Sequence, residues 1–221
     1  MSGTVSTLQA TPAIDCDHPQ VIAFSARVCA GLTGPVEMAR ALYLAVRDEI
    51  RYDPYRIDLS DAGMTASRVL VDGFGWCVTK STLLAAACRA RGIPARVGYA
   101  DVRNHLSTER LRAIIGTNDY VWHGYASIRL DGHWRKATPA FNRSLCAKLG
   151  VEPLGFDGSG DSLYQEFDAQ GRRHLEYVLQ RGEFDDVPLP QIRAAFLKHY
   201  PRLVQLAKAD FDRDVDDEAT A

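Results

Sequence analysis

Asp131-Gly132 is all that separates two runs, YVWHGYASIRL (120–130) and HWRKATPAF (133–141), and no other feature constrains the chain as tightly. A two-residue Asp-Gly link between aromatic and β-branched runs closes a β-hairpin, because both central turn positions call for positive φ. The turn then sets the register. Leu130 faces His133, Tyr125 faces Thr138 and His123 faces Ala140, so His123 and Thr138 become diagonal neighbours on one face of the ribbon. Such diagonals lie about 7–8 Å apart at the backbone, within reach of side chains that lean together.

A helix is expected upstream, from Cys77 to about Arg91, with Leu83, Leu84, Ala87 and Cys88 as its apolar face and Gly92 and Pro94 as its stop. ARVGYADV (95–102) follows as a strand. Before Cys77, the stripe Met38, Leu42, Ala45, Val46 and Ile50 marks a helix from Pro35 to about Tyr52, and a short helix is expected around 65–71 before a Gly-rich turn at 72–75. Val21, Phe24, Val28 and Leu32 recur at helical spacing in PQVIAFSARVCAGL, a helix expected to pack on the body. A short helix is expected within 103–119. From Asn142 onward the reading is loops alternating with helical runs such as LPQIRAAFLKHYPRLVQLAK (189–208), whose Ile192, Phe196, Leu203 and Leu206 should pack on the body rather than make a dimer. The acidic stretch 209–221 reads as a solvated, mobile tail.

A length of 221 residues suits one large domain, taken as 1–208 with its core at about 35–142. The net charge of −2 supplies no general electrostatic reason to bind nucleic acid or an anionic membrane. MSGTVSTLQATPAIDCDHPQ lacks the basic start and apolar stretch of a signal peptide, and no later run is apolar enough to span a bilayer, so a cytoplasmic protein is expected. Cys16, Cys29, Cys77, Cys88 and Cys146 make an odd, scattered set without a C-x-x-C pair, which points to reduced thiols.

Two readings of Cys77 follow from its position. A small apolar side chain at a core edge is one. The other is a nucleophile, since a thiol in the first turn of a helix meets backbone N–H groups and the positive end of the dipole, which favour a thiolate and can hold an oxyanion. Cys88, deeper in the helix among alanines, fits packing better. A thiolate needs a base, and His123 is the histidine placed on a rigid strand. The diagonal neighbour Thr138 offers a hydroxyl to orient the imidazole, although a carboxylate makes the stronger bond.

GWCVTKSTLLAAACRARGIPARVGYA together with HGYASIRLDGHWRKATPAFN resembles the core of the transglutaminase-like superfamily: a Cys heading a helix, an R-x-x-G-I-P-A-R exit into a strand, and a His followed by a DG-x-W hairpin. The resemblance covers about residues 35–142. It implies an α+β, papain-like fold, a nucleophile helix packed on an antiparallel sheet with extra helices at both ends, and a Cys-His-Asp triad working through a thioester. Cys77 takes the nucleophile's place and His123 the base's. Thr138 stands where the family's Asp is expected, just before Pro139. That departure leaves three options: Thr138 orients His123; Asn142 or Asp157 substitutes; or the site is degenerate.

The expected function is therefore cysteine-dependent acyl transfer or amide hydrolysis on an amide or acyl substrate, small molecule or peptide, with water or an amine as acceptor. Backbone N–H groups near Trp76 and Cys77 would stabilise the oxyanion, and Trp76 would exclude water. No organic cofactor or metal is required. The alternative is a non-catalytic binding module with a degenerate triad. GFGWCV lacks the spacing of a nucleotide loop, CDH (16–18) lacks paired metal-ligand spacing, and FDGSGD (156–161) reads as a turn rather than a calcium loop. DVRNH (101–105) reads as a polar turn with Asp and Arg paired, or as part of the cleft wall.

Overall fold

The structure, a computed structural model, describes residues 7–104, 107–163, 175–203, 205 and 209–219, and of Tyr177 only the backbone. Its centre is helix α4 (Cys77–Ala90), buried at every position from Cys77 to Arg89 rather than along one apolar face. Helices α1 (Pro19–Val28), α2 (Pro35–Glu49) and α3 (Ala66–Asp72) pack around it, and strands β3 (Ala95–Asn104) and β4 (Asp119–Leu130) cover another side. Full burial explains why its polar side chains turn inward to backbone oxygens: Thr82 Oγ1 donates to Val78 O, and Lys80 Nζ donates to Arg47 O and Ile50 O at 3.0 and 2.5 Å.

The lysine bonds bear on where α2 ends. The apolar stripe allows a helix to about Tyr52, yet α2 stops at Glu49 and Ile50 is extended. Beyond it β1 (Arg51–Tyr52) runs parallel to β2 (Phe74–Gly75), with Arg51 N–H on Gly73 O and Asp53 N–H on Gly75 O. The last carbonyls of the helix are satisfied by Lys80 from α4, so the chain is free to leave for the short strand pair.

The main sheet is antiparallel throughout, in the order β5 (His133–Ala137), β4, β3, β6 (Leu175–Phe184). Leu130 pairs with His133 as the Asp-Gly turn requires, with φ of 49° at Asp131 and 81° at Gly132. The R-x-x-G-I-P-A-R exit has two structural jobs. Arg89 donates to the carbonyls of Ala95, Gln9 and Asp185, tying the helix end to three separate segments. Arg96 places its guanidinium 3.8 Å from the ring centroid of Trp134, joining the exit to the DG-x-W hairpin.

Three expectations need correction. The region after Asn142 contains a long strand, β6 (Leu175–Phe184), paired along β3; its Val178 and Leu179 are both exposed and its register slips twice, which hides the alternation a strand would show. DVRNH is not a polar turn but, by its other reading, part of the cleft wall: residues 101–104 belong to β3, Val102 and Asn104 line the cavity at Cys77, Asp101 pairs with Arg181 and Arg103 with Asp119, and His105 lies outside the described residues. The acidic tail carries helix α8 (Phe211–Ala219), whose Phe211 and Val215 are buried. They sit four apart on one face, and acidic residues around them pair with the body: Asp212 with Arg51, Asp214 with Arg110, Asp216 with Lys148.

Helices α5 (Glu109–Ile115), α6 (Arg143–Leu149) and α7 (Leu189–His199) complete the set. Ile192 and Phe196 of α7 enter the main core and Leu203 packs against it, as their spacing suggests; Leu206 lies outside the described residues. Leu111, Leu145, Phe211, Val215 and Tyr55 form a second, smaller apolar cluster. Among the described residues no helix is long and apolar enough to cross a membrane.

Candidate active site

Cys77 is the first residue of α4, and Trp76 before it is extended, at φ −115° and ψ 178°. The Trp76 N–H is donated to Thr79 Oγ1 at 3.1 Å, and the Thr79 hydroxyl returns a bond to Trp76 O at 3.3 Å. This pins the helix start. It also withdraws the Trp76 backbone N–H from the oxyanion role expected of it.

β4 comes directly onto the first turn of this helix. A methyl group on Gly124 would lie 2.8 Å from Val78 Cα and 3.1 Å from Cys77 O, so only glycine allows the approach. The N–H groups of Gly124, Val78 and Cys77 itself bear on the Cys77 sulfur and lower its pKa. Burial acts in the opposite direction and prevails, pushing the thiol up to about 11. The donors that favour a thiolate, as the helix start suggests, are therefore opposed by enclosure.

His123, the residue before Gly124, is buried and lines the same cavity as Cys77. Its backbone is aimed by a bulge. Ala100 pairs with His123 and Val102 with Tyr120, so Val121 and Trp122 together oppose Asp101, and Trp122 takes a φ of 61°. Asp101 Oδ1 accepts the Trp122 N–H at 3.0 Å, Arg181 holds the same carboxylate through Nε at 2.5 Å and Nη2 at 2.7 Å, and the guanidinium lies 4.9 Å from the Trp122 ring centroid. Nothing in sequence joins Asp101 to Arg181, which lies 80 positions away.

Of the three residues considered for orienting the imidazole, Thr138 alone lines a small cavity that His123 also lines. Its backbone is fixed on both sides, N–H to Ser162 O at 2.8 Å and O accepting from Tyr43 Oη at 3.2 Å. Its Oγ1 is buried with no hydrogen-bond partner among the described residues. Asn142 is committed elsewhere: Oδ1 accepts the Tyr52 N–H and Nδ2 donates to Ser144. Asp157 accepts from the backbone and hydroxyl of Ser159, bonds that lower its pKa, in a surface depression that also includes Arg40.

The cavity beside Cys77 measures about 70 Å³. Sequence reasoning missed most of its wall, because Leu111, Leu145, Phe211 and Val215 come from helices whose meeting nothing local announces. All five cysteines are free and buried, and among the described residues no group of three His, Cys, Asp or Glu side chains could hold a metal ion.

A cysteine heading a buried helix, with a histidine on an adjoining antiparallel strand, is the papain-like arrangement. The chain belongs to the transglutaminase-like superfamily, which matches residues 22–139, more than half its length. Among solved structures, a candidate cysteine protease from Cytophaga hutchinsonii is similar at 14% identity and a TM-score of 0.45, over 78% of this chain and 62% of that one. A candidate protease from Parabacteroides distasonis is similar at 18% identity and 0.39, over 61% of this chain and 26% of that one. The chain thus spans less than two thirds of either. No curated protein matches it.

Proposed function

We propose that the protein is a cysteine enzyme that forms a thioester on Cys77 from an amide or activated acyl donor and passes the acyl group to water or an amine. The observation that carries this reading is the seating of Gly124 on the first turn of α4, which brings His123 and Cys77 to one cavity and turns backbone N–H groups toward the sulfur. His123 acts as general base during attack. It takes the Sγ proton as the S–C bond forms, then gives it to the departing amine or alcohol as the C–N or C–O bond breaks. The second half-reaction repeats the proton movements with the acceptor as nucleophile. The N–H groups of the first turn of α4, which bear on the sulfur, would stabilise the oxyanion.

The test is intact-mass detection of an acyl adduct after mixing with p-nitrophenyl acetate, in the native protein, Cys77→Ser and His123→Ala. A stoichiometric adduct on Cys77 that disappears in Cys77→Ser and forms about 100-fold or more slowly in His123→Ala is expected. No adduct in the native protein would leave a binding module as the better reading, for which the absent carboxylate at 138 speaks.

A further inference from the structure

The cavity at Cys77 lies on a seam. One wall belongs to the main core, with Trp76 and Phe196; the other belongs to the smaller cluster, with Leu111, Leu145, Phe211 and Val215. Among the described lining residues there is no Asp, Glu, Lys or Arg. A charge carried into this space would lose its water and find no permanently charged side chain among the described lining residues, His123 being occupied with the Cys77 proton, at a cost of several kcal/mol. At about 70 Å³ it is roughly half the size of a cavity that admits benzene, which leaves room for about three non-hydrogen atoms with the walls as they stand.

A second observation points to an occupant. Trp76, which lines the cavity directly beside the nucleophile, has an indole Nε1 that is buried without a hydrogen-bond partner among the described residues. Ser107 Oγ and Tyr120 Oη, also on lining residues, make no well-formed hydrogen bond there either, although the serine hydroxyl is near enough to lower the phenol's pKa against the larger effect of burial. Buried polar atoms left without partners are costly, and a neutral acyl group, whose carbonyl accepts a hydrogen bond without bringing a charge, would recover part of that cost.

Resting on the thioester reading, we infer that the cavity is the acyl pocket and that it selects short, uncharged, mainly apolar acyl groups, against donors whose chain ends in a carboxylate or ammonium. The carbonyl stands at Cys77, the chain lies in the seam, and α8 supplies part of the roof through Phe211 and Val215.

The deciding comparison is the rate of Cys77 acylation, by intact mass, with p-nitrophenyl butyrate against the p-nitrophenyl monoester of succinate, which matches its length but ends in a carboxylate. Butyryl transfer at least 30-fold faster is expected, with Leu145→Ala shifting the optimum toward longer chains. Should Leu145→Ala fail to fold, protection of native Cys77 from iodoacetamide by butyramide, and not by succinamate, gives the same discrimination. Equal acylation by both esters, with an adduct on Cys77, would overturn the pocket assignment and leave the thioester reading intact. Absence of any adduct from either ester would remove both.

Discussion

Gly124 and Val78 stand so close that a methyl group on the glycine would lie 2.8 Å from the Cα of the valine. The contact joins two backbones, not two flexible side chains, so nothing can turn aside to make room. Gly124→Ala is therefore expected to push β4 off the head of α4, at about 1–3 kcal/mol in stability, and to lower the acylation rate by at least tenfold, because it separates His123 from Cys77. Urea denaturation and acylation kinetics on the same preparation check both effects. A variant acylated as fast as the native protein would show that the close approach is packing alone.

Thr138 is the test of the missing carboxylate. Its hydroxyl is buried beside His123 and makes no hydrogen bond among the described residues, so it contributes a desolvation cost without a return. Thr138→Val keeps the shape and removes the orphan group. It should leave the acylation rate within about threefold and raise stability by about 1 kcal/mol. If the rate fell tenfold or more with the fold unchanged, the hydroxyl would be the orienting group after all.

The parts of this molecule that were legible in sequence are those written by local rules. Asp131-Gly132 set the hairpin register, and the pair Gly92 and Pro94 closed the helix that Cys77 opens. The ladder ends at Ala126–Ala137, short of the expected Tyr125–Thr138 and His123–Ala140 pairs, because Thr138 N–H turns to Ser162 O; His123 and Thr138 nevertheless line one small cavity. What could not be read depends on partners far away. β6 has no alternating pattern because it bulges along β3 and leaves Val178 and Leu179 in solvent. The acidity of 209–221 masked Phe211 and Val215, and its counter-ions Arg51, Arg110 and Lys148 come from three distant segments. Burial also reversed one local inference, since a helix N-terminus alone lowers a thiol pKa while enclosure at Cys77 raises it.

That enclosure has a consequence for stability at alkaline pH. Burial raises the pKa of all five cysteines, Cys77 to about 11, from an ordinary value of 9.0. Above pH 9 the unfolded chain loses thiol protons that the folded chain retains, so folding weakens as pH rises; for Cys77 the window runs from about 9 to about 11. Each fully ionising thiol adds up to about 1.4 kcal/mol per pH unit to the slope. Urea midpoints measured in reductant at pH 7.5, 9 and 10 should fall steadily, and Cys88→Ala should fall less steeply than the native protein. Midpoints flat from 7.5 to 10 would contradict the burial of these groups.

Asp101 holds the backbone of Trp122, the residue before His123. The tryptophan's φ of 61° is unfavourable for a side-chain-bearing residue, and the carboxylate that accepts its N–H holds it there while Arg181 locks the carboxylate in place. Asp101→Ala should let the bulge relax and His123 swing from its line toward Cys77. The expected loss is at least tenfold in kcat with little change in KM, because the pocket walls are untouched. Asp101→Asn keeps an acceptor for the Trp122 N–H and weakens only the bond to Arg181, so it should recover most of the rate. A purely structural role would instead lower the urea midpoint in both variants and leave the rate per folded molecule unchanged, which active-site titration of the acyl-enzyme would reveal.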